Sequence, residues 1–127
     1  MREPDPSRNP YRTIELTLRE IPMETLLDRA HLMRQTFDDE DLAREVLALF
    51  AGQCERLLPG LVDPALAPHA RADLAHTLKG SALGVGAARV ADLAGRIEAA
   101  LRAPDAATAD GLAPALEEAV RETLALI

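Results

Sequence analysis

Apolar residues recur three and four places apart through most of this chain, and prolines and glycines cut the pattern into separate stretches. Leu42, Val46, Leu49, Phe50, Cys54 and Leu57 mark one stripe, and Val90, Leu93, Ala94, Ile97 and Leu101 another. A further stripe runs through Leu112, Leu116, Val120, Leu124 and Ile127. A period near 3.6 turns one face of a helix toward a core and provides no alternating face for a sheet. The apolar residues are mostly Ala, Leu and Val, and the only aromatics are Tyr11, Phe37 and Phe50. Runs of β-branched and aromatic residues that favour strands are therefore scarce.

The 127 residues suffice for one domain with one core. Residues 1–12 hold three prolines among alternating charges and read as a tail. "TIELTLRE" (13–20) alternates like a strand but has no partner, which favours an arm lying against the rest. Pro22 opens a short helix over about residues 23–35, with Leu26, Leu27, Ala30 and Met33 inward. Asp38 or Asp39 caps the next helix, which runs to about Leu58 before Pro59-Gly60 breaks it, a frayed turn through Leu61 and Val62 being allowed. Pro64 and Pro68 bracket the start of a third helix ending near Leu83, and Gly84 and Gly86 make the turn. A fourth helix follows from Ala87 to Arg102, then "APDAATAD" as a loop and a last helix. The expected fold is all-α: an antiparallel up-down four-helix bundle with a short additional N-terminal helix, over residues 23–127, behind a tail or arm at 1–22.

The formal charge of −7 argues against a nucleic-acid or anionic-membrane surface, since both need a basic footprint. No run approaches the roughly 20 apolar residues that span a bilayer, and "MREPDPSRNP" lacks the apolar core of a signal peptide. Cys54 is the single cysteine and reads as a small core residue, consistent with the cytoplasm.

One stretch is not explained by packing. In "AHTLKGSALGVGA" (75–87) a histidine stands mid-helix with a lysine three places on and a glycine four places on. Glycine inside a helix costs about 1 kcal/mol relative to alanine. On a helical wheel Ala70, Leu74, Leu78, Ser81 and Val85 form the core stripe, and His76 lies nearly opposite with His69, Ala72, Lys79, Gly80 and Leu83. His76 is thus expected in solvent, with Gly80 leaving a notch beside the ring. Ala72 either widens the clearing or is simply a good helix former. Lys79 places a positive charge on the flank, suited to a phosphoryl group. Glu98, at the edge of the fourth helix's core stripe, can reach His76 and fix its tautomer, leaving Nε2 as the lone pair; equally it can pair with Arg102 at i, i+4. Ser81 reads as a packing residue bonding back to its own helix.

"HTLKGSALGVGAARVADLAGRIE" resembles the signature of histidine-containing phosphotransfer (HPt) domains. The matching positions are His76, Leu78, Lys79, Gly80, Ser81, the Gly86-Ala87 turn and Glu98, and "REVLALFAGQCERLLPGL" resembles the preceding helix of the family. The likeness covers about residues 24–127. It implies a monomeric phosphocarrier without autokinase activity. His76 would take a phosphoryl group from a receiver aspartyl phosphate and pass it to another receiver aspartate. Lys79 and Glu98 would assist, with His69, Ala72, Gly80 and Leu83 forming the docking face. Response-regulator receiver domains, and a hybrid histidine kinase, are the implied partners, with Mg²⁺ on the receiver and no cofactor here. The chain departs from some members in having Gly95, not a polar residue, facing the site.

Other chemistries fit less well. "GVGAAR" follows a helix and lacks the P-loop Lys-Ser/Thr, so it is no phosphate cradle. The three histidines lack Glu-x-x-His or His-Glu-x-x-His spacing, and His69 and His76 stand roughly 10 Å apart along the helix axis, so no metal site is expected. A helical module that binds receivers through the same face without carrying phosphate is the alternative from another class.

Overall fold

The computed structural model describes residues 26–127. The expected tail and arm at 1–22, and the expected helix start at 23, lie outside the described residues. Among the described residues five helices follow in order: α1 (Arg29–Gln35), α2 (Glu40–Leu61), α3 (Pro68–Val85), α4 (Ala88–Arg102) and α5 (Ala106–Leu124). Among the described residues there is no strand. The chain is an all-helical bundle of four long helices with α1 as the short additional one. Neighbours in sequence are neighbours in space, and α3 against α4 is the most extensive contact.

Helix starts follow capping chemistry. The Asp28 carboxylate accepts from the His31 N–H at 3.0 Å and caps the start of α1 at Arg29. Leu26 and Leu27 are buried as expected, but Ala30 is exposed, and Leu32 takes the inward position instead. Asp39 caps α2 by accepting from the N–H groups of Asp41 and Leu42, and Glu40 and Asp41 suit the positive end of the helix dipole. "APDAATAD" is only partly a loop. Asp105 accepts from the Thr108 N–H and hydroxyl, and α5 starts at Ala106.

Pro59-Gly60 does not break α2. The proline lies on the exposed side, where its missing N–H is tolerable, and the helix continues to the fully buried Leu61. Gly60 serves a close approach: a Cβ there would stand 2.9 Å from Leu74 Cδ1. Leu49, expected inward, is 70 % exposed; Ala43, Leu47, Phe50, Cys54 and Leu61 form the buried stripe. Cys54 is a buried core residue, and burial pushes its thiol up to about 11. Ile127 lies past the end of α5 and is exposed.

The phase of α3 differs from the expectation. Its buried line is Arg71, Ala75, Leu78, Ala82 and Val85, joined by Ala72, and Ala70, Leu74 and Ser81 are only half-buried. The core face is turned by about 60° from the expected stripe. Arg71, a charged residue, occupies a core position on that face. Its Nε donates to the Leu61 carbonyl at 2.9 Å and its Nη2 to Asp110 Oδ1 at 2.9 Å. One guanidinium thus satisfies the end of α2 and pins α5, which removes the usual penalty for burying the charge.

Gly86 closes α3 in the left-handed region at φ 82°, donates its N–H back to the Leu83 carbonyl, and accepts from the Asp28 N–H at 2.8 Å. A Cβ at Gly86 would stand 2.7 Å from the Asp28 carbonyl oxygen. Gly86→Ala should therefore lower unfolding free energy by about 2 kcal/mol or more in denaturant titration. Gly80→Ala, where a Cβ meets nothing within 4 Å, should leave stability unchanged or raise it by up to about 1 kcal/mol.

Candidate functional site

His76 stands midway along α3 with 65 % of its side chain exposed. Its Nδ1 lies 3.0 Å from Glu98 Oε2 across the α3–α4 seam. Glu98 is itself buried, at the margin of the α4 stripe, and its carboxylate is shared. Lys79 Nζ is 3.2 Å from Oε1, and Arg102 Nε donates to Oε2 at 3.1 Å. Arg102 Nη2 also donates to Asp73 Oδ1 at 3.1 Å, back on α3.

Burial by itself would raise the Glu98 pKa. Hydrogen bonds from Lys79 and Arg102, with the charges of His76 and Lys79, outweigh it and hold the carboxyl below its ordinary value. An ionised carboxylate only accepts, so His76 Nδ1 carries the hydrogen and Nε2 of the neutral ring keeps the lone pair. The two alternatives for Glu98, reaching His76 or pairing with Arg102, occur together.

Gly95 has a physical explanation here. A Cβ at that position would stand 3.1 Å from Lys79 Cδ, so the bare backbone gives the lysine stem room to fold onto Glu98. Gly80, one turn beyond His76, is exposed and open. Leu83 is 56 % exposed, and His69 is exposed at the start of α3. Ala72 is not part of this face. It is fully buried, because the turned core stripe carries it into the bundle.

The sequence reading missed three features. Ser81 donates across to Gln53 Oε1 on α2 rather than back to its own helix. Between α2 and α3 runs a groove of about 400 Å³ lined by Val46, Leu49, Phe50, Ser81 and Gly84. Asp73, three places before His76, is the third: its acidic side chain on the exposed side of α3 was the available signal. Among the described residues no group of three or more His, Cys, Asp and Glu side chains is placed to hold a metal ion, and no helix is long and apolar enough to cross a membrane.

The Hpt domain family model matches residues 43–126, from the first turn of α2 to just past the end of α5. The chain belongs to the Hpt domain family, whose role is histidine phosphotransfer in phosphorelays. Members are in general phosphocarriers rather than enzymes, and they interact with receiver domains and kinases. No individual curated protein and no solved structure matches the chain.

A carboxyl whose folded-state pKa is lowered stabilises the fold above the ordinary carboxylate range, and that contribution fades as pH falls through the lowered value. Glu98→Gln should thus cost on the order of 1 kcal/mol at pH 7, since its partners are partly solvated. As pH falls through that lowered value, below the ordinary carboxylate range, the gap from wild type should close. Denaturant unfolding at neutral pH and below that range checks this.

Proposed function

We propose that this protein is an intermediate carrier in a multistep phosphorelay, with His76 as the phosphorylated residue. A receiver's aspartyl phosphate donates the group and another receiver's aspartate accepts it. One observation carries the assignment: an exposed imidazole whose Nδ1 is tied to a buried, ionised carboxylate.

The chemistry balances without a proton relay. The Nε2 lone pair attacks phosphorus, the bond from phosphorus to the aspartyl oxygen breaks, and its electrons return to the donor carboxylate. The hydrogen on Nδ1 stays, so the phosphorylated ring is cationic, and Glu98 supplies the compensating charge. In onward transfer the acceptor aspartate attacks phosphorus, the P–N bond breaks, and the electron pair returns to Nε2. Lys79 can exchange its contact with Glu98 for a phosphoryl oxygen as negative charge arrives next to it. Mg²⁺ is expected on the receiver, and nothing in the step calls for ATP on this chain.

For docking we assign Gly80 and Leu83, with His69 at the rim. Ala72 drops out of the set because it is buried, and Leu49 joins it at the groove between α2 and α3. We also assign a monomeric state, a cytoplasmic location, and a hybrid histidine kinase's receiver as one source of phosphate.

Incubation with a phosphorylated receiver should place an acid-labile, alkali-stable phosphate on wild type and none on His76→Ala. Label on the variant would remove His76 from the role. A folded wild type that binds receivers but takes no phosphate would favour a plain interaction module. Gly80→Gln should keep wild-type helix content and slow transfer by roughly tenfold or more through obstructed docking. An unchanged rate would mean the open backbone is not needed.

A further inference from the structure

The three cations on Glu98 are not equivalent. Lys79 alone is paired with Oε1, while His76 Nδ1 and Arg102 share Oε2. Lys79 can therefore leave without disturbing the oxygen that orients the ring. Arg102 has a reason to stay. Its Nη2 is also bound to Asp73, so the same side chain grips the carboxylate on α4 and an acid on α3, the helix that carries the histidine. A planar guanidinium can serve both acceptors at once, whereas an ammonium on a flexible stem is a poorer bridge.

We propose that Arg102 is a positioning residue for His76, holding Glu98 Oε2 on Nδ1 while Lys79 is released from Oε1 toward the phosphoryl group. Arg102 acts through Glu98 and touches no reacting atom. Lys79 is the mobile partner and Arg102 the fixed one. Without Arg102, departure of Lys79 would leave a buried carboxylate with the ring as its only partner. The carboxylate would then be drawn toward water and away from the orientation the nucleophile needs. Arg102 closes the last turn of α4, where unpaired carbonyls favour a cation, so the charge costs the helix nothing there. The proposal rests on His76 being the phosphorylated residue.

The test reads the ring directly. In protein labelled with ¹⁵N-histidine at mildly alkaline pH, wild-type His76 should show well-separated nitrogen resonances with hydrogen on Nδ1. Arg102→Gln should draw the two resonances together as tautomers mix, Arg102→Lys should restore part of the separation, and Lys79→Gln should leave it. Asp73→Asn, at an exposed position that does not threaten the core, should shift the pair in the same direction by less. Transfer from a phosphorylated receiver should fall by about three- to tenfold in Arg102→Gln, the loss of one partly exposed charge-assisted contact. An Arg102 that merely stitches α3 to α4 would lower the melting temperature and leave the tautomer alone. An unmoved tautomer in Arg102→Gln, or an equal shift in Lys79→Gln, overturns the proposal. The two assignments fail separately. A ring that responds to Arg102 in a protein that accepts no phosphate sinks only the carrier role. A protein that accepts phosphate with a ring indifferent to Arg102 sinks only the positioning role.

Discussion

The seam between α3 and α4 is the contact on which the rest of the molecule turns. Both helices bury small side chains along their shared length: Ala72, Ala75 and Ala82 on one, Ala91 and Ala94 on the other. Small residues let helix axes approach closely, and a close approach brings a side chain at the margin of one helix within reach of the exposed face of the next. Glu98 is that side chain. It stays in the boundary layer because four donor groups from His76, Lys79 and Arg102 compensate its lost water. Separate the helices by the width of a larger residue and the carboxylate would lose its α3 partners, His76 and Lys79, since both contacts span the seam, and keep Arg102 on its own helix.

The site is sparse, which suits the proposed reading, in which the chemistry is divided between two proteins. An exposed imidazole held by a buried carboxylate, next to an open backbone position, is what this chain presents. On the proposed reading the electrostatics at the phosphoryl group would come largely from the receiver, in keeping with a family of carriers rather than enzymes in general. The polarity around His76 is lopsided. On the α4 side stand Glu98, Lys79 and Arg102, and on the α2 side lies the apolar groove next to Leu49. A partner that covers the ring must therefore match charge on one flank and apolar surface on the other.

The helices themselves were largely legible. Period placed α2, α3, α4 and α5 along the chain, although Pro59-Gly60 does not end α2 and α5 begins inside the expected loop, and aspartates ahead of helices mark starts at Asp28, Asp39 and Asp105. The geometry of the candidate site was legible because His76, Lys79, Gly80 and Glu98 combine residue type with helical phase. Phase was also where the reading failed. Placing Leu74 in the stripe and Arg71 outside it turned α3 by about a sixth of a circle, which put Ala72 on the surface. Leu49 was misplaced for a related reason. An apolar residue at the right spacing is indistinguishable from a core residue until the neighbour that would cover it is known.

By itself, the sequence determined that this chain forms long helices in this order, and it set an exposed histidine, a lysine and an unadorned backbone position on one of them. Both are local properties, since periodicity and capping act within a turn or two. Only the tertiary structure decided the rotation of α3, the burial of Arg71 and the division of Glu98's two oxygens among three cations. Those outcomes depend on groups far apart in the chain, with Leu61 and Asp110 meeting Arg71 and Asp73 meeting Arg102. No local pattern encodes such meetings, because a buried charge is favourable only once its distant partners are in place.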